Sequence, residues 1–303
     1  MKATIQKCIK KFGYEVVRIR QRNVKSEIPV KVGNFTILMK GFSLLPTIFG
    51  QNANYSSELG RLVQVCLSKY PDLRLIDIGA NYGDSVAIAK SMADISILCI
   101  EGDVIAFELL QRNLKQFNHM EALNLYLGEK TEKLKVSMEK EGWNSTIIPE
   151  TARNSKTIQV HTLDELALQQ TDIFAKSKIL KIDAEGFDCR IIRGGLAFIN
   201  AVRPAILFEY NRDNMTRIGE SGIETLWLLR KAGYSRIVFF DGTSRLLGSV
   251  RLSDTELVQD LHSYADGRGR AIYHYDVCLI HEQDEELAES FVKLSREANR
   301  SEN

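Results

Sequence analysis

The sequence lacks any run of about 18 apolar residues, the length that a helix needs to cross a bilayer. Its five cysteines are odd in number and scattered, and no Cys-x-x-Cys or Cys/His pair has the spacing of a zinc site. The amino terminus carries lysines but no apolar stretch followed by a small-residue cleavage site, which argues against secretion. We therefore expect free thiols in a reducing compartment, the cytoplasm.

The sequence also lacks a dominant charge. Forty Lys and Arg residues face thirty-nine Asp and Glu residues, a formal net charge of +1 at pH 7. Such a balance provides no global field for nucleic acid or for an anionic membrane, and we expect no nucleic-acid partner. A chain of 303 residues with 44% hydrophobic residues is typical of a globular protein with one large domain or two modest ones.

The first 54 residues differ in pattern from the rest of the chain. Residues 1–22 are basic, and Ile5, Ile9 and Phe12 recur at helical spacing. This pattern predicts a docking helix or arm; a peripheral membrane contact is the alternative. Residues 28–50 contain short apolar stretches broken by glycine and proline, which predicts one or two strands that lead into a loop.

From about residue 55, strand-like and helical runs alternate up to residue 281. Near-continuous apolar strands that alternate with helices predict a mostly parallel sheet with helices on both faces. The last two runs are expected to form an antiparallel edge, and the charged segment 282–303 a solvated terminal helix. The strand-like runs are 73–78, 95–100, 122–127, 179–182, 205–208, 236–240 and 273–280.

A glycine-rich turn follows the first of these strands directly. Gly79 and Gly83 have the spacing Gly-x-x-x-Gly, whereas a dinucleotide pyrophosphate needs Gly-x-Gly-x-x-Gly. Glycines allow the backbone to approach a ligand closely, and the next helix offers unpaired N–H groups. This turn favours a ligand with an amino-acid tail over NAD. Asp77 lies late in the strand, where it could orient the turn or receive an ammonium group.

The second strand ends in an acidic residue, Glu101, about 20 positions beyond the glycine turn, where a carboxylate can bind both hydroxyls of a ribose. Taken alone, the glycine spacing is a common turn and Glu101 is a solvated loop carboxylate. Their combination at neighbouring strand ends indicates a nucleoside-binding site.

Several segments together resemble the FkbM-type methyltransferases, and they occur in the order of that family between about residues 70 and 280. The Lys-Ile-Asp-x-Glu-Gly element is the most specific of them. The segments are DIGANYG at 77–83, IEGD at 100–103, LDEL at 163–166, LKIDAEG at 180–186, PAILFE at 204–209 and YDVCL at 275–279.

The resemblance implies a Rossmann-like, seven-stranded class I fold, S-adenosylmethionine as the cofactor, and methyl transfer to a hydroxyl oxygen. It also implies acceptors that are sugars or natural-product scaffolds. Asp77, Gly79, Asn81 and Gly83 would border the methionine half of the cofactor, and Glu101 would hold its ribose.

Two parts of the cofactor site depart from the family pattern. Gly102, which we include in the cofactor site, stands where a proline is common. The segment 128–160 offers no clear acidic or amide residue for adenine. Gly128, with its neighbours Leu127 and Glu129, is the nearest candidate.

The ends of the fourth and fifth strands carry the predicted catalytic groups. In an open α/β sheet the carboxyl ends of the strands share one crevice, so Asp183, Glu185 and Glu209 should face the cofactor. We expect Asp183 to be the base nearest the acceptor hydroxyl, supported by the other two carboxylates. An alternative for Glu185 is that it caps the following helix.

A metal-assisted mechanism is a second possibility. Asp183, Glu209 and Asn211 are hard oxygen ligands on adjacent strand ends, a donor set that suits Mg²⁺ with retained waters. Trp143 and the stretch 264–270 are further candidates for shaping the acceptor pocket.

The functional hypothesis from the sequence is an O-methyltransferase that acts on a saccharide or glycan-linked acceptor. The alternatives are a polyketide-type natural-product acceptor and a non-catalytic Rossmann-like binding module. A nucleotide-binding oxidoreductase fits poorly because the pyrophosphate spacing is missing.

Overall fold

The computed structural model describes residues 26–141, 144–149, 156–265 and 274–301. The basic arm 1–22, Trp143 and most of the stretch 264–270 lie outside the described residues. The strands are β1 (Glu27–Val32), β2 (Phe35–Lys40), β3 (Arg74–Ile78), β4 (Ser96–Ile100), β5 (Met120–Leu123), β6 (Tyr126–Leu127), β7 (Glu132–Glu141), β8 (Asn144–Pro149), β9 (Lys156–His161), β10 (Ser177–Ile182), β11 (Ala205–Asn211), β12 (Tyr234–Phe240), β13 (Leu246–Arg251) and β14 (His274–His281).

The helices mostly connect successive strands of the largest sheet. They are α1 (Leu45–Gln51), α2 (Ser57–Lys69), α3 (Asp84–Met92), α4 (Val104–Leu114), α5 (Leu163–Gln169), α6 (Thr171–Ala175), α7 (Asp188–Arg193), α8 (Leu196–Val202), α9 (Arg212–Arg217), α10 (Ile223–Lys231), α11 (Thr255–Tyr264) and α12 (Glu285–Ser301).

The largest sheet has the strand order β13-β12-β14-β11-β10-β3-β4-β5. Strands β11, β10, β3, β4 and β5 run parallel to one another, whereas β14 runs antiparallel between β11 and β12. This confirms the predicted mostly parallel sheet with a late antiparallel strand. The sheet has eight strands instead of seven because β13 adds to the edge of β12. That strand is only partly buried, which explains why its sequence carries no strong apolar signal.

The predicted strand at 122–127 is in fact two strands in two sheets. The first, β5, joins the large sheet, while β6 pairs with β9 in a four-stranded sheet of order β6-β9-β7-β8. Asn124 lies at the break, and its side-chain amide donates to the backbone carbonyls of Glu101 (2.7 Å) and Gly102 (3.2 Å). The break therefore turns the chain across the end of β4.

Alternate side chains of the central strands enter two separate cores. On β3, for example, Leu75 belongs to the core beneath α2, α3 and α4, and Ile76 to the core beneath α5 to α8. Both side chains are fully buried. Helices therefore cover both faces of the sheet, as the apolar strand pattern predicts.

The lead-in hairpin and the terminal helix pack on the first of these cores. Ile37 and Met39 of β2 are fully buried. The expectation that the terminal helix is solvated is wrong for one face. Leu287 and Phe291, spaced four residues apart, are buried, and the Phe291 ring lies 5.4 Å from that of Phe240. The charges of α12 lie on its other faces, which is the arrangement of an amphipathic surface helix.

Within the described part of the chain, no helix combines the length and the apolar character that crossing a bilayer requires.

The four described cysteines, Cys66, Cys99, Cys189 and Cys278, are buried free thiols, as predicted.

Candidate active site

A cavity of about 720 Å³ opens at the edge of the sheet where β3, β4, β10 and β11 end and the antiparallel β14 begins. This volume is within the range of small-molecule sites. Across the strands, the wall carries Glu101 beyond β4, Gly79 beyond β3, Asp183 beyond β10, Glu209 on β11 and Asp276 on β14. The structure thus brings together four of the predicted residues: Gly79, Glu101, Asp183 and Glu209.

The glycine turn packs directly on the end of β10. Gly79 has φ +74°, and a Cβ at this position would collide with the backbone carbonyl of Asp183. The backbone N–H of Asp183 donates to the carbonyl of Ile78 at 3.0 Å. Only glycine satisfies both the left-handed backbone and the close approach. Gly83 (φ +89°) precedes the first residue of α3, off the cavity wall.

Asp77 supports the turn from beneath and does not line the cavity. Its carboxylate is fully buried, accepts a hydrogen bond from Ser85 and forms an ion pair with Lys181 (Oδ1–Nζ 3.2 Å). Of the two roles expected for Asp77, the structure supports orientation of the turn, because the ammonium that it contacts belongs to Lys181.

Lys181 lines the cavity beside Asp183, and sequence reasoning did not single it out. Its Nζ also lies 3.6 Å from Oδ2 of Asp183 and donates to the carbonyl of Gly79 at 3.4 Å. Burial alone lowers the pKa of Lys181, but the neighbouring carboxylates, Asp77 and Asp183 foremost, raise it above its ordinary value. The ammonium therefore stays charged and links the glycine turn to Asp183. The only sequence signal was a lysine within a buried strand.

Glu101 joins the glycine turn to the loop after β4. One carboxylate oxygen accepts from the backbone N–H of Asn81 at 2.8 Å, and the other from that of Asp103 at 2.7 Å. Burial raises the pKa of Glu101 to about 7, against the opposing effect of these two hydrogen bonds. The carboxyl group is thus fixed in place on the cavity wall.

The glycine after Glu101 makes room for an aromatic ring. A Cβ on Gly102 would collide with the ring of Tyr126. Tyr126, Leu125 and Leu127 form an apolar part of the wall beside it. Gly102 therefore lets this ring pack against the backbone, where a proline would not fit.

The predicted place of Gly128 in the cofactor site is wrong. Gly128 does not line the cavity; its backbone N–H donates to the carbonyl of His161 at 3.0 Å. A Cβ on Gly194 would collide with its carbonyl, so Gly128 lies against the turn after α7. Glu129 is ion-paired with Arg193 at 2.8 Å. Of the three candidates for adenine, only Leu127 faces the cavity.

Two carboxyl groups follow β10 on the cavity wall. The side chain of Asp183 is 49% exposed, so a ligand in the cavity can reach it. Glu185 has φ +51° and accepts a hydrogen bond from the Asn214 side chain at 2.9 Å. Burial, with the charges of Asp183 and Asp188, raises the pKa of Glu185 to about 8.

Asp188, and not Glu185, organises the start of α7. Its carboxylate accepts from the backbone N–H groups of Ala184 (3.2 Å) and Gly186 (3.1 Å). The helix-capping alternative for Glu185 is therefore wrong.

Glu209 is the most deeply placed carboxyl of the predicted catalytic set. Its Oε2 is buried and has no hydrogen-bond partner among the described residues. Burial, followed by the charges of Asp183 and Glu185, raises the pKa of Glu209 well above its ordinary value. Asp276 lies directly opposite on β14.

The predicted metal ligands are not assembled. The Asn211 side chain accepts from the backbone N–H groups of Asp213 (3.1 Å) and Asn214 (3.2 Å) at the start of α9, and it lies off the cavity wall. Among the described residues, no three His, Cys, Asp or Glu side chains are arranged to hold a metal ion. Asp183, Glu209 and Asn211 thus do not fit the expected donor set.

The connection between α1 and α2, together with the first turn of α2, contributes two residues that sequence reasoning missed. Tyr55 and Glu58 line the cavity opposite the sheet. Burial raises the pKa of both, and the Asp183 carboxylate raises that of Tyr55 further. Both fall in a segment whose helical pattern predicts only packing.

Three solved structures illustrate what this chain is similar to. A methyltransferase FkbM from Methylobacillus flagellatus is 19% identical with a TM-score of 0.39, over 55% of this chain and 40% of that chain. An O-methyltransferase from Bacillus cereus in complex with SAH is 12% identical with a TM-score of 0.37, over 63% of this chain and 78% of that chain. A geranyl diphosphate methyltransferase in complex with SAM is 10% identical with a TM-score of 0.39, over 75% and 84%. No curated protein sequence matches this chain.

The Methyltransferase FkbM domain matches residues 77–236, more than half of the chain. This range begins in β3 and contains the glycine turn, Glu101, Asp183 and Glu209. The chain therefore belongs to the FkbM methyltransferase family.

Proposed function

We propose that this enzyme transfers a methyl group from S-adenosylmethionine to a hydroxyl oxygen of a saccharide or glycan-linked acceptor. One observation carries the proposal. A single cavity has a glycine turn with a fixed carboxyl group at one end and a cluster of carboxyl groups at the other. The first end suits an adenosyl amino acid, and the second suits a ligand rich in hydroxyl groups.

The residues at the first end fit the cofactor. The turn at Gly79 and Asn81 would receive the methionine half, because both residues line this end of the cavity. Glu101 would accept hydrogen bonds from the two ribose hydroxyls. Tyr126 and the leucines beside it would contact the adenine ring through their apolar surfaces.

The residues at the other end would remove the acceptor proton. Bound S-adenosylmethionine supplies a methyl group on a positively charged sulfur, which an oxygen must approach in line. Asp183 is accessible from the cavity and would take the hydroxyl proton. Lys181 orients that carboxylate and is itself held by Asp77.

Glu185 and Glu209 would serve a different purpose. Burial raises the pKa of Glu185 to about 8 and that of Glu209 well above its ordinary value, which favours the protonated forms, and these would donate hydrogen bonds to acceptor oxygens.

Titration calorimetry with S-adenosylmethionine and NAD, followed by assays of S-adenosylhomocysteine release over a panel of sugars, tests the proposal. We expect saturable binding of S-adenosylmethionine only, and release with at least one sugar. Cofactor binding without release on any sugar would favour a non-catalytic module, and release only with polyketide alcohols would move the acceptor to natural products.

Removal of divalent cations with EDTA is expected to leave turnover unchanged, since Asn211 is engaged at α9 and the three predicted ligands do not converge. The initial rate before and after chelation, and after Mg²⁺ is added back, is the measurement. A loss of activity that Mg²⁺ restores would reinstate the metal-assisted mechanism.

The cytoplasm is our proposed location, supported by the buried free thiols. The near-zero net charge supports the absence of a nucleic-acid partner.

A further inference from the structure

We infer that the acceptor carries a protonated amine, which Glu58 and Asp276 bind at the end of the cavity remote from the glycine turn. The inference deepens the proposed function and rests on it: the acceptor is an amino sugar, or a glycan that presents one. Glu58 is buried with one oxygen unpartnered, Asp276 lies at the same end of the cavity, and the lysines on the cavity wall bind other groups.

Glu58 is a buried carboxyl group that lacks a donor for one of its oxygens. The residue is only 4% exposed, lies in the first turn of α2 and lines the cavity. Ser244 hydrogen-bonds to this carboxyl, but its Oε2 has no hydrogen-bond partner among the described residues. A buried acceptor without a donor is costly, so a polar group of a ligand is the expected partner.

The position of Asp276 indicates that this site lies away from the end of the cavity that carries the glycine turn. Asp276 lies on β14, and β14, β11, β10 and β3 are consecutive in the sheet. With neighbouring strands about 4.8 Å apart, β14 is roughly 14 Å from the strand that carries the glycine turn. Asp276 pairs with Phe240 at the end of β12, and Ser244, the partner of Glu58, lies in the turn that follows β12, so the two carboxyl groups share this end of the cavity.

The lysines on the cavity wall are engaged elsewhere. Lys181 contacts Asp77, Asp183 and the carbonyl of Gly79. Lys40 is ion-paired with Glu27 at 3.0 Å. Among the described residues no group donates a hydrogen bond to Oε2 of Glu58, although the charges of Arg61 and Lys181 lower the pKa of this carboxyl.

A ligand ammonium matches this site better than a hydroxyl does. It carries three N–H donors and a positive charge, so it can satisfy Oε2 of Glu58 and a second carboxylate together. Burial raises the pKa of both carboxyl groups, and a bound ammonium would favour their ionised form, whereas a neutral hydroxyl supplies a single donor and no charge. If Glu58 and Asp276 instead held a shared proton, the site would show no preference for an amine.

The test compares sugars that carry an amine, a hydroxyl or an acetamide group at the same position. Glucosamine and galactosamine are titrated against glucose, galactose and N-acetylglucosamine, with saturating S-adenosylhomocysteine and EDTA at neutral pH. We expect an amino sugar to bind the wild-type enzyme about tenfold or more tightly than its hydroxyl counterpart, as a charged hydrogen bond requires.

The isosteric variants Glu58→Gln and Asp276→Asn should remove this preference. We expect amine affinity to fall about 10- to 100-fold, with hydroxyl-sugar affinity unchanged. Glu108→Gln, the same change at an exposed site on α4, is the matched control and should behave as wild type. S-adenosylmethionine affinity and the melting temperature show that each variant is folded, and either variant alone is sufficient for the test.

Three results would overturn the inference. The first is that the wild-type enzyme binds amine and hydroxyl sugars equally, or binds no amine sugar at all. The second is that the preference for the amine sugar persists in both variants. The third is weaker S-adenosylmethionine binding in Glu58→Gln, which would place Glu58 in the cofactor site. A wild-type enzyme that binds no S-adenosylmethionine would instead contradict the proposed function.

Discussion

Replacement of Glu101 by alanine is expected to weaken S-adenosylmethionine binding by about two orders of magnitude, close to 3 kcal/mol. The change would remove the acceptor of two ribose hydroxyls. It would also release the backbone N–H groups of Asn81 and Asp103, which the carboxylate now holds at 2.8 and 2.7 Å. The loss therefore combines lost contacts with a less ordered glycine turn.

Titration calorimetry of wild-type and variant enzyme measures this effect. Glu108→Ala is a suitable control because Glu108 is exposed on the adjoining helix α4 and lies off the cavity wall. Its affinity for the cofactor should equal that of the wild type. An unchanged affinity in Glu101→Ala would remove the residue from the cofactor site.

The same residue predicts a pH dependence. Because burial raises the pKa of Glu101 to about 7, the group is protonated below that pH and ionised above it. Only the ionised form accepts hydrogen bonds from both ribose hydroxyls and both backbone N–H groups. Cofactor affinity should therefore fall as the pH is lowered from 8 to 6, and Glu101→Gln should abolish this dependence. A flat profile in the wild type would contradict it.

Replacement of Asp183 by asparagine is expected to lower turnover by about 10²- to 10⁴-fold, the usual contribution of a general base. The amide keeps the size of the side chain but cannot take a proton. The backbone of residue 183, against which the glycine turn packs, is unaffected by the change. S-adenosylmethionine affinity should accordingly remain within about twofold of the wild type.

Single-turnover rates, with cofactor affinity measured on the same samples, separate the two effects. Asp213→Asn provides the control, since Asp213 is exposed in the first turn of α9. An Asp183→Asn enzyme with normal turnover would exclude Asp183 as the base.

Much of the site was predictable because parallel strands deliver their carboxyl ends to one edge of a sheet. Gly79, Glu101, Asp183 and Glu209 each follow or end such a strand, and all four line one cavity. Asn211 lies at the same edge, but its side chain binds the start of α9 and does not line the cavity. A short polar side chain just before a helix satisfies the first backbone N–H groups of that helix.

The residues that were missed depend on contacts between segments distant in sequence. Lys181 gains its role from Asp77, which lies 104 positions earlier and on the neighbouring strand. Tyr55 and Glu58 reach the cavity because the α1–α2 connection and the first turn of α2 lie along its wall. No local pattern carries this information. The split of the predicted strand at 122–127 likewise depends on Asn124, which binds the backbone after β4.

The absence of a side chain at Gly79 has a consequence for how substrate range can change in this enzyme. Since the turn and the backbone of Asp183 touch without an intervening atom, methyl donor and base would move as a single rigid body. Their mutual distance is then fixed by the sheet and not by loops. New acceptors would have to be accommodated by replacing side chains such as Tyr55 on the opposite wall, while the reacting pair stays as it is.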